Sequence, residues 1–319
     1  MTLLLNLHAL LTVLLVANLS TKCSALLSRH DFCSTPAPDE SLRAEHRRLN
    51  GLQAQRDSAA EENREVSRSI EIETWFHIVS SNDAANTVSD DMITSQLSYL
   101  QKAYESATIT YRLQGITRQI NDSWARNDDE LGMKNALRRG NYSTLNVYFQ
   151  TNLQASSGES SRGLSKDVHR RTDVSDQSSS IVLGFCTLPD PSVNSSSPRS
   201  SYIKDGCNVL ADTMPGGSLA QYNQGGTAVH EVGHWNGLLH TFEGESCSPD
   251  NEGDYIDDTP EQSEPTSGCP TEKDSCPDLP GLDAIHNFMD YSSDDCYESF
   301  TPDQAVRMRN MWSAMREGK

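Results

Sequence analysis

The chain has 319 residues and a formal net charge of −19, from 26 basic and 45 acidic residues. This length accommodates one large domain or two modest ones with a substantial core. Because such an acidic surface repels nucleic acid and anionic membranes, neither is expected as a partner. The negative charge is consistent with a soluble protein that binds cations or basic substrates. It is equally consistent with a protein whose acidic residues serve only to keep it soluble.

Residues 1–20 predict a signal peptide, since an apolar run is followed by polar sequence and a small-residue site. We place the cleavage between Ala17 and Ala25. The run is short for a membrane anchor, and no later segment could span a bilayer, so the protein is expected to be secreted. Asn-x-Ser sequons at Asn121, Asn141 and Asn194 are then predicted glycosylation sites.

Residues 21–69 are polar and prone to form a helix, with few apolar residues that could anchor them to a core. They are interpreted as an N-terminal extension, a short pro-segment or partly disordered sequence. The globular domain is expected to cover residues 70–319. Residues 155–180 are rich in serine and predict a long surface loop that is open to proteolytic nicking.

The elements of the globular domain alternate between strand and helix patterns. Ile70–Ser80 has apolar residues at about every second position, which predicts a strand. A capped helix follows, with one apolar face made of Met92, Ile93, Leu97, Leu100 and Tyr104. The segments ITYRLQGI and LNVYFQ predict strands on either side of a short helix at residues 130–139. This order predicts an α/β (α+β) domain.

The last part of the chain contains two more strand candidates and a final helix. The strand candidates are SIVLGFC and GCNVLA. The helix is predicted to begin at Thr301 as N-cap, with Pro302 at its first position and Gln304 completing a capping box.

The segment HEVGHWNGLLH has the spacing of a catalytic zinc site. His230 and His234 project from the same helical face, and Glu231 lies beside them, where it can accept a proton from an activated water. Gly237 can end the helix in a left-handed conformation, which lets His240 reach the same metal. Three nitrogen ligands leave one position open, which distinguishes catalytic from structural zinc.

This extended motif resembles that of the metzincin metalloproteases, which also carry a methionine turn. The context NFMDY places Met289 in such a turn, and together with MPGGS and GDYIDDTP it looks most like the secreted fungal metalloproteases of the pappalysin branch. The resemblance implies that His230, His234 and His240 bind zinc and that Glu231 is the general base.

Two further expectations follow from the resemblance. Tyr291 would lie near the metal and help to bind zinc or the oxyanion, and Asn236 departs from the family at a position that is usually apolar. The implied fold is metzincin-like: a twisted mixed sheet with a backing helix, an active-site helix below it, and an irregular, disulfide-rich C-terminal subdomain.

Eight cysteines are expected mostly in disulfides, because the chain is predicted to be secreted. Four of them lie in a segment with little hydrophobic core, and the sequence alone permits three pairings of these four. The resemblance implies the disulfides Cys247–Cys276 and Cys269–Cys296, and Cys186–Cys207 would form a third. Cys33 is left over. It pairs with Cys23, stays free, or binds zinc as an inhibitory thiolate in a latent form.

The acidic loop after the zinc motif offers oxygen ligands for a second ion. Asp250, Asp254, Asp257 and Asp258 supply the hard ligands that calcium prefers, although no EF-hand spacing is present. Since related enzymes bind calcium nearby, calcium is a candidate ion for Asp254, Asp257 and Asp258.

The resulting prediction is a secreted, monomeric zinc endopeptidase that acts on proteins or peptides. The alternatives are a secreted zinc-binding protein without turnover, which has no need of Glu231, and an exopeptidase or narrowly specific processing peptidase. A preference for basic residues at the cleavage site remains open, because the surface is acidic and some relatives have such a preference.

Overall fold

A computed structural model describes residues 31–59, 69–155 and 182–319. The predicted signal peptide, Cys23 and nearly all of the serine-rich stretch 155–180 lie outside these described residues. Within the described ranges, no helix combines the length and the apolar character needed to cross a membrane.

A mixed sheet forms the centre of the described structure, with the strand order β1-β5-β6-β4-β2-β3. Neighbouring strands run parallel except β5 and β6, which are antiparallel. The predicted α/β class and mixed sheet are confirmed, and the N-terminal segment adds the strand β1 to the sheet. The strands are β1 (Asp31–Cys33), β2 (Ile70–Ser80), β3 (Ile109–Ile120), β4 (Leu145–Gln150), β5 (Val182–Cys186) and β6 (Cys207–Leu210).

The helices begin where side chains satisfy their first backbone N–H groups. Ser89 accepts a hydrogen bond from the N–H of Met92, and the predicted capping box of Thr301 and Gln304 is present. The helices are α1 (Glu40–Ala59), α2 (Asp90–Ala103), α3 (Asp122–Ala125), α4 (Glu130–Leu137), α5 (Gly226–Trp235) and α6 (Pro302–Met311), and a π-helical segment, Trp312–Arg316, continues α6.

The main core lies between the sheet and helices α2 and α5. Ile93 and Leu100 of α2 and Tyr104 at its C-terminal end join Val229 and Val232 of α5 in one buried cluster with the strands. Every residue of α5 is buried, which agrees with a helix that is apolar around most of its circumference. The helix that carries the zinc motif is therefore the central helix of the fold.

Disulfides hold the parts of the chain that have little regular structure. Cys186–Cys207 joins β5 to β6, and Cys247–Cys276 and Cys269–Cys296 cross the long segment between α5 and α6. All of the predicted pairings are confirmed. Cross-links stabilise such a segment because they restrict the unfolded chain where burial is limited.

The C-terminal Arg316 ties the end of α5 to the rest of the domain. Its guanidinium lies 3.7 Å from the ring centre of Trp235 and 4.5 Å from that of Tyr142. Asp205 accepts from Arg316 at 3.0 Å and from the indole N–H of Trp235 at 3.1 Å, and it also pairs with Arg138 at 3.3 Å. The buried carboxylate thus has two cationic partners, as buried charges require.

Helix α1 is docked on the C-terminal helix, contrary to the expectation that residues 21–69 have little to anchor them. Leu42 and Leu49 of α1 form a buried cluster with Met311 and Met315. Glu252 accepts two hydrogen bonds from the guanidinium of Arg47, at 2.6 and 2.8 Å. The composition did not predict this contact, because the buried face of α1 is narrow and its central residue is a histidine.

That histidine, His46, is fully buried between α1 and α6. Its Nδ1 accepts a hydrogen bond from Arg307 at 2.8 Å, and its ring stacks on Tyr255 with 5.1 Å between the ring centres. Burial, followed by the positive charges of Arg307 and Arg43, lowers the pKa of His46 to about 3. The docked helix therefore requires His46 to be neutral.

Acidification is expected to weaken the docking of α1. The pKa of His46 falls from 6.5 in a free side chain to about 3 when docked. Docking is therefore most stable above pH 6.5 and is weakened as the pH falls toward 3, by about 1.4 kcal/mol per pH unit. Hydrogen exchange of the α1 amides, corrected for its intrinsic pH dependence and measured from about pH 7 to pH 4.5, would report this loss.

A His46→Asn variant is the matched control, since its amide oxygen can still accept from Arg307 but does not titrate. In this variant the free energy of α1 docking, measured by hydrogen exchange, should depend on pH less steeply than in the wild type, by about 1.4 kcal/mol per pH unit. Asp254, whose charge also acts on Arg307, titrates in both proteins, so the difference between the slopes isolates His46. Equal slopes would contradict the prediction.

Candidate metal centre and active site

Helix α5 begins at a glycine and is capped from a distant part of the chain. Gly225 has φ +101° and provides no side-chain cap. Instead, Asp294 Oδ2 accepts from the backbone N–H of Gln224 at 2.7 Å and of Gly226 at 3.3 Å. Burial raises the pKa of Asp294 to about 6. Sequence reasoning missed Asp294, because nothing local links residues so far apart.

The helix ends as predicted, at a left-handed glycine. Gly237 has φ +91°, and a Cβ there would lie 2.7 Å from Met311 Cγ, so both conformation and space favour glycine. Its N–H donates to the carbonyl of His234 at 2.8 Å. The turn brings His240 back toward the helix.

The Nε2 atoms of the three histidines face one another. His234 Nε2 lies 3.2 Å from that of His230 and 3.1 Å from that of His240. Nitrogen ligands at about 2.0 Å from a tetrahedral zinc ion are about 3.3 Å apart. The spacing of these atoms therefore fits the three ligands of one metal ion.

The other ring nitrogens keep the Nε2 lone pairs free. Nδ1 of His230 donates to the carbonyl of Phe288 at 2.7 Å, and Nδ1 of His234 donates to that of Leu238 at 2.9 Å. Since a carbonyl only accepts, these contacts place the proton on Nδ1 and direct Nε2 toward the metal position. Burial and the neighbouring imidazoles also lower the pKa of both rings, which keeps them neutral.

Cys33 completes the cluster from the N-terminal segment. Its Sγ lies 3.5 Å from His234 Nε2, close to the roughly 3.6 Å expected between a thiolate and an imidazole on one tetrahedral zinc. Cys33 is not disulfide-bonded. Its sulfur and the three histidine nitrogens lie within 4.8 Å of one another, and no other such group of ligands occurs among the described residues.

Glu231 is buried beside this cluster. Its Oε2 accepts from Thr35 Oγ1 at 3.3 Å and lies 3.7 Å from Cys33 Sγ, whereas its Oε1 has no hydrogen-bond partner among the described residues. Burial raises the pKa of Glu231 to about 8. Gly184 on β5 makes room for it, since a Cβ there would lie 2.6 Å from Glu231 Cγ. Sequence reasoning missed this glycine.

Comparisons with known proteins show the family to which the chain belongs. The family model described as pregnancy-associated plasma protein-A, peptidase M43, matches residues 198–313. An extracellular metalloprotease of Aspergillus oryzae is 63% identical over 316 residues, which cover 98% of each chain. The chain belongs to the pappalysin family of metalloproteases. It is therefore a metalloendopeptidase whose substrates are proteins or peptides.

Further relatives support the family and the fold. An extracellular metalloprotease of Aspergillus fumigatus is 62% identical over 313 residues, with 96% of this chain and 97% of the relative covered. Mature mirolysin of Tannerella forsythia, in complex with a cleaved peptide, is 26% identical with a TM-score of 0.56, over 77% of this chain and 92% of its own. A promirolysin mutant is 24% identical with a TM-score of 0.59, over 89% and 94%.

In this pappalysin the predicted Met-turn residue packs under the active-site helix. Met289 is fully buried, and a Cβ at Gly233 would lie 2.4 Å from its sulfur. Two residues later, the hydroxyl of Tyr291 lies 3.2 Å from His240 Nε2 and donates to the carbonyl of Cys33 at 3.4 Å. Tyr291 thus lies beside the histidine cluster, and its role at a metal stays a prediction.

The pappalysin accommodates Asn236, the residue that departs from the family pattern, in a polar contact. Asn236 is buried and donates to the hydroxyl of Tyr111 at 2.7 Å and to the carbonyl of Val232 at 2.9 Å. Tyr104 donates to the carbonyl of Val229 at 2.8 Å. The bonds made by Tyr111 and Tyr104 hold α5 against β3 and against the end of α2, and the bond from Asn236 to Val232 lies within the last turn of α5.

Calcium binding by the acidic loop stays a prediction, and its three candidate carboxylates have hydrogen-bond partners in the described structure. Asp254 accepts from Thr259 Oγ1 at 2.9 Å, Asp257 accepts from the Asn50 amide at 3.2 Å, and Asp258 accepts from the N–H of Asp303 at 3.0 Å. Asp258 caps α6, Asp257 meets α1, and all three residues line one cavity.

The predicted glycosylation sites differ in accessibility. Asn141 and Asn194 are exposed, whereas Asn121 is half-buried and caps α3 by accepting from the N–H of Trp124. Glycosylation at all of these sites stays a prediction.

Proposed function

We propose that this pappalysin is a secreted, monomeric zinc endopeptidase that is made as a latent precursor. His230, His234 and His240 would hold the ion, Glu231 would act as general base, and Cys33 would keep the precursor inactive. The observation that carries the proposal is the group of three Nε2 atoms, with 3.1 and 3.2 Å between His234 and the other two, beside a buried carboxylate.

Glu231 and Tyr291 each have a chemical task in peptide hydrolysis. A bound zinc ion would polarise the scissile carbonyl and lower the pKa of water. Glu231 accepts the proton of the attacking water and transfers it to the departing amine. The Tyr291 hydroxyl, 3.2 Å from His240 Nε2, donates a hydrogen bond to the oxygen on which negative charge develops.

Latency would arise because the N-terminal segment occupies the same site. Cys33 Sγ, 3.5 Å from His234 Nε2, would bind the metal as a further ligand, and Thr35 Oγ1 donates to Glu231 at 3.3 Å. Strand β1 pairs with β5, and helix α1 fixes the segment on the C-terminal helix. Residues 21–69 would therefore act as a pro-segment and residues 70–319 as the catalytic domain.

The rival from another class is a zinc-binding protein without turnover. It requires the histidines but has no use for a buried glutamate with an unpartnered oxygen at Glu231. Membership of a metalloprotease family also opposes it. A narrowly specific processing peptidase uses the same residues and differs only in its range of substrates.

Removal of the metal is expected to abolish peptide cleavage, and zinc is expected to restore it. The full-length Cys33→Ala variant would be purified, its zinc content measured, and its cleavage of casein followed before and after treatment with a chelator. About one zinc per chain is expected. A peptide blocked at both ends should be cut internally, since an endopeptidase needs no free terminus.

Calcium or magnesium, added after chelation, serves as the control and should not restore activity. Cleavage that persists in the metal-free protein would contradict the proposal. Release of single terminal residues without internal cuts would show that the activity is that of an exopeptidase and not of an endopeptidase.

A further inference from the structure

His240, the third histidine of the cluster, lies on a turn and not on a helix. His230 and His234 belong to α5, whose backbone fixes the spacing between them. His240 comes after the left-handed Gly237, beyond the end of the helix. The orientation of a ligand on a turn depends on the neighbours that hold its ring. The contacts of the His240 ring therefore decide how firmly the third ligand position is formed.

Aromatic rings fix the plane of the His240 imidazole. It lies nearly parallel to the ring of Phe242, with 4.8 Å between the ring centres and an angle of 11° between the planes. It is also stacked with His230 at 5.3 Å, and Tyr291 meets it edge-on at 5.1 Å. These contacts restrict the tilt of the ring. They supply no charge, however, and so cannot offset the positive charge that a metal ion would place on the imidazole.

Glu243 directs a carboxylate at the other nitrogen of this ring. Its Oε2 lies 3.7 Å from His240 Nδ1, whereas His230 and His234 use Nδ1 to donate to backbone carbonyls. Since Nε2 of His240 faces the other histidines, the proton of its neutral ring is on Nδ1, toward Glu243. The contact is longer than a hydrogen bond, so the carboxylate acts on this N–H through Coulomb attraction.

The backbone holds Glu243 in this position. Its N–H donates to the carbonyl of His240 at 3.0 Å, and its own carbonyl accepts from the side-chain amide of Asn251 at 3.2 Å. The side chains of Glu243 and His240 are only 13% and 12% exposed, so water and salt screen their interaction little. The attraction across this pair is consequently stronger than that of a pair on the open surface.

We propose that Glu243 is a positioning residue of the metal centre, which orients His240 and offsets the charge of the bound ion. This inference rests on the proposed function, since it concerns the same zinc site. Glu243 acts through His240, because its carboxylate faces the nitrogen that points away from the cluster. Loss of its negative charge is expected to weaken zinc binding about 10- to 100-fold, the usual effect of removing such a partner of a ligand.

The parent protein for the test is the full-length Cys33→Ala chain loaded with zinc. Glu243→Gln in this chain keeps the shape of the side chain and removes its charge. The rate of zinc release to an excess of a coloured chelator is expected to increase at least roughly tenfold. Glu245→Gln is the matched control, because it removes the same charge from an exposed side chain two residues further on. It should release zinc at the parental rate.

Three further measurements separate positioning from a merely structural role. The metal-free protein should melt at the same temperature with and without Glu243→Gln, since the carboxylate acts mainly on the bound ion. With cobalt(II) in place of zinc, the visible absorption bands should shift in Glu243→Gln and not in Glu245→Gln, because the charge beside one ligand has changed. Glu243→Asp, which keeps the charge, should release zinc more slowly than Glu243→Gln.

The outcomes distinguish this inference from the proposed function. Parental zinc release or unchanged cobalt bands in Glu243→Gln would overturn the inference and leave the zinc endopeptidase standing. The same holds if Glu245→Gln or Glu243→Asp accelerates release to the full extent, or if Glu243→Gln lowers the melting temperature of the metal-free protein. A parent protein that binds no zinc overturns both.

Discussion

Replacing Glu231 with glutamine is expected to reduce peptide cleavage by about 10² to 10⁴-fold, the usual contribution of a general base. Glutamine keeps the shape of the side chain and can still accept from Thr35, whose hydroxyl lies 3.3 Å from Glu231 Oε2. It cannot take the proton of the attacking water. The full-length Cys33→Ala chain with and without Glu231→Gln would be compared for casein cleavage and zinc content.

Zinc content and fold should survive this change. Glu231 is fully buried, and exchanging a buried carboxylate for a neutral amide lowers the cost of burial. Thermal stability should therefore be equal or higher. Glu261→Gln, which neutralises an exposed glutamate, is the control and should retain activity. Substantial cleavage by the Glu231→Gln protein would assign the proton transfer to another group.

Replacing Cys33 with alanine is expected to raise the activity of the full-length precursor at least about tenfold. The change removes the sulfur that lies 3.5 Å from His234 Nε2, and the fourth ligand position becomes available to water. A metal–thiolate bond contributes more than the 1.4 kcal/mol that a factor of ten requires. Both precursors would be assayed on a blocked peptide, with electrophoresis to verify that residues 21–69 remain attached.

Ser34→Ala provides the matched control for latency, because it changes the neighbouring residue and keeps the thiol. Its precursor should stay as inactive as the wild type. If the wild-type precursor already cleaves as fast as the Cys33→Ala protein, Cys33 does not inhibit. Residual inhibition in the variant is expected, since β1 still pairs with β5 and α1 still contacts α6.

The sequence predicted those parts of the site whose geometry is local. The spacing of His230 and His234 alone predicts that they lie on one helical face. Gly237 predicts the turn that brings His240 to them. The pairing of the cysteines came from family resemblance, since spacing left three arrangements open. For Cys33, three fates were equally consistent with the sequence, because its neighbours in the fold lie far along the chain.

What was missed depends on long-range contacts. Asp294 caps α5 from the far side of the methionine turn, and Gly184 on β5 leaves space for Glu231. His46 anchors α1 although the helix has few apolar residues, because its ring is buried against Tyr255 and Arg307. In the acidic loop, composition suggested oxygen ligands for calcium, and the structure shows Asp254, Asp257 and Asp258 lining one cavity, so calcium binding there stays a prediction.

The contacts that position α5 also set the time at which the enzyme can become active during its synthesis. The zinc-motif histidines leave the ribosome before Met289, Asp294 and Arg316 are made. Yet α5 packs on Met289 and is capped by Asp294, and its residue Trp235 is held by Arg316. The metal centre is therefore completed only after the last turns of the chain have emerged. The N-terminal segment, whose Cys33 Sγ lies 3.5 Å from His234 Nε2, is made first, so a segment that inhibits as proposed would protect the producing cell's own proteins throughout translation.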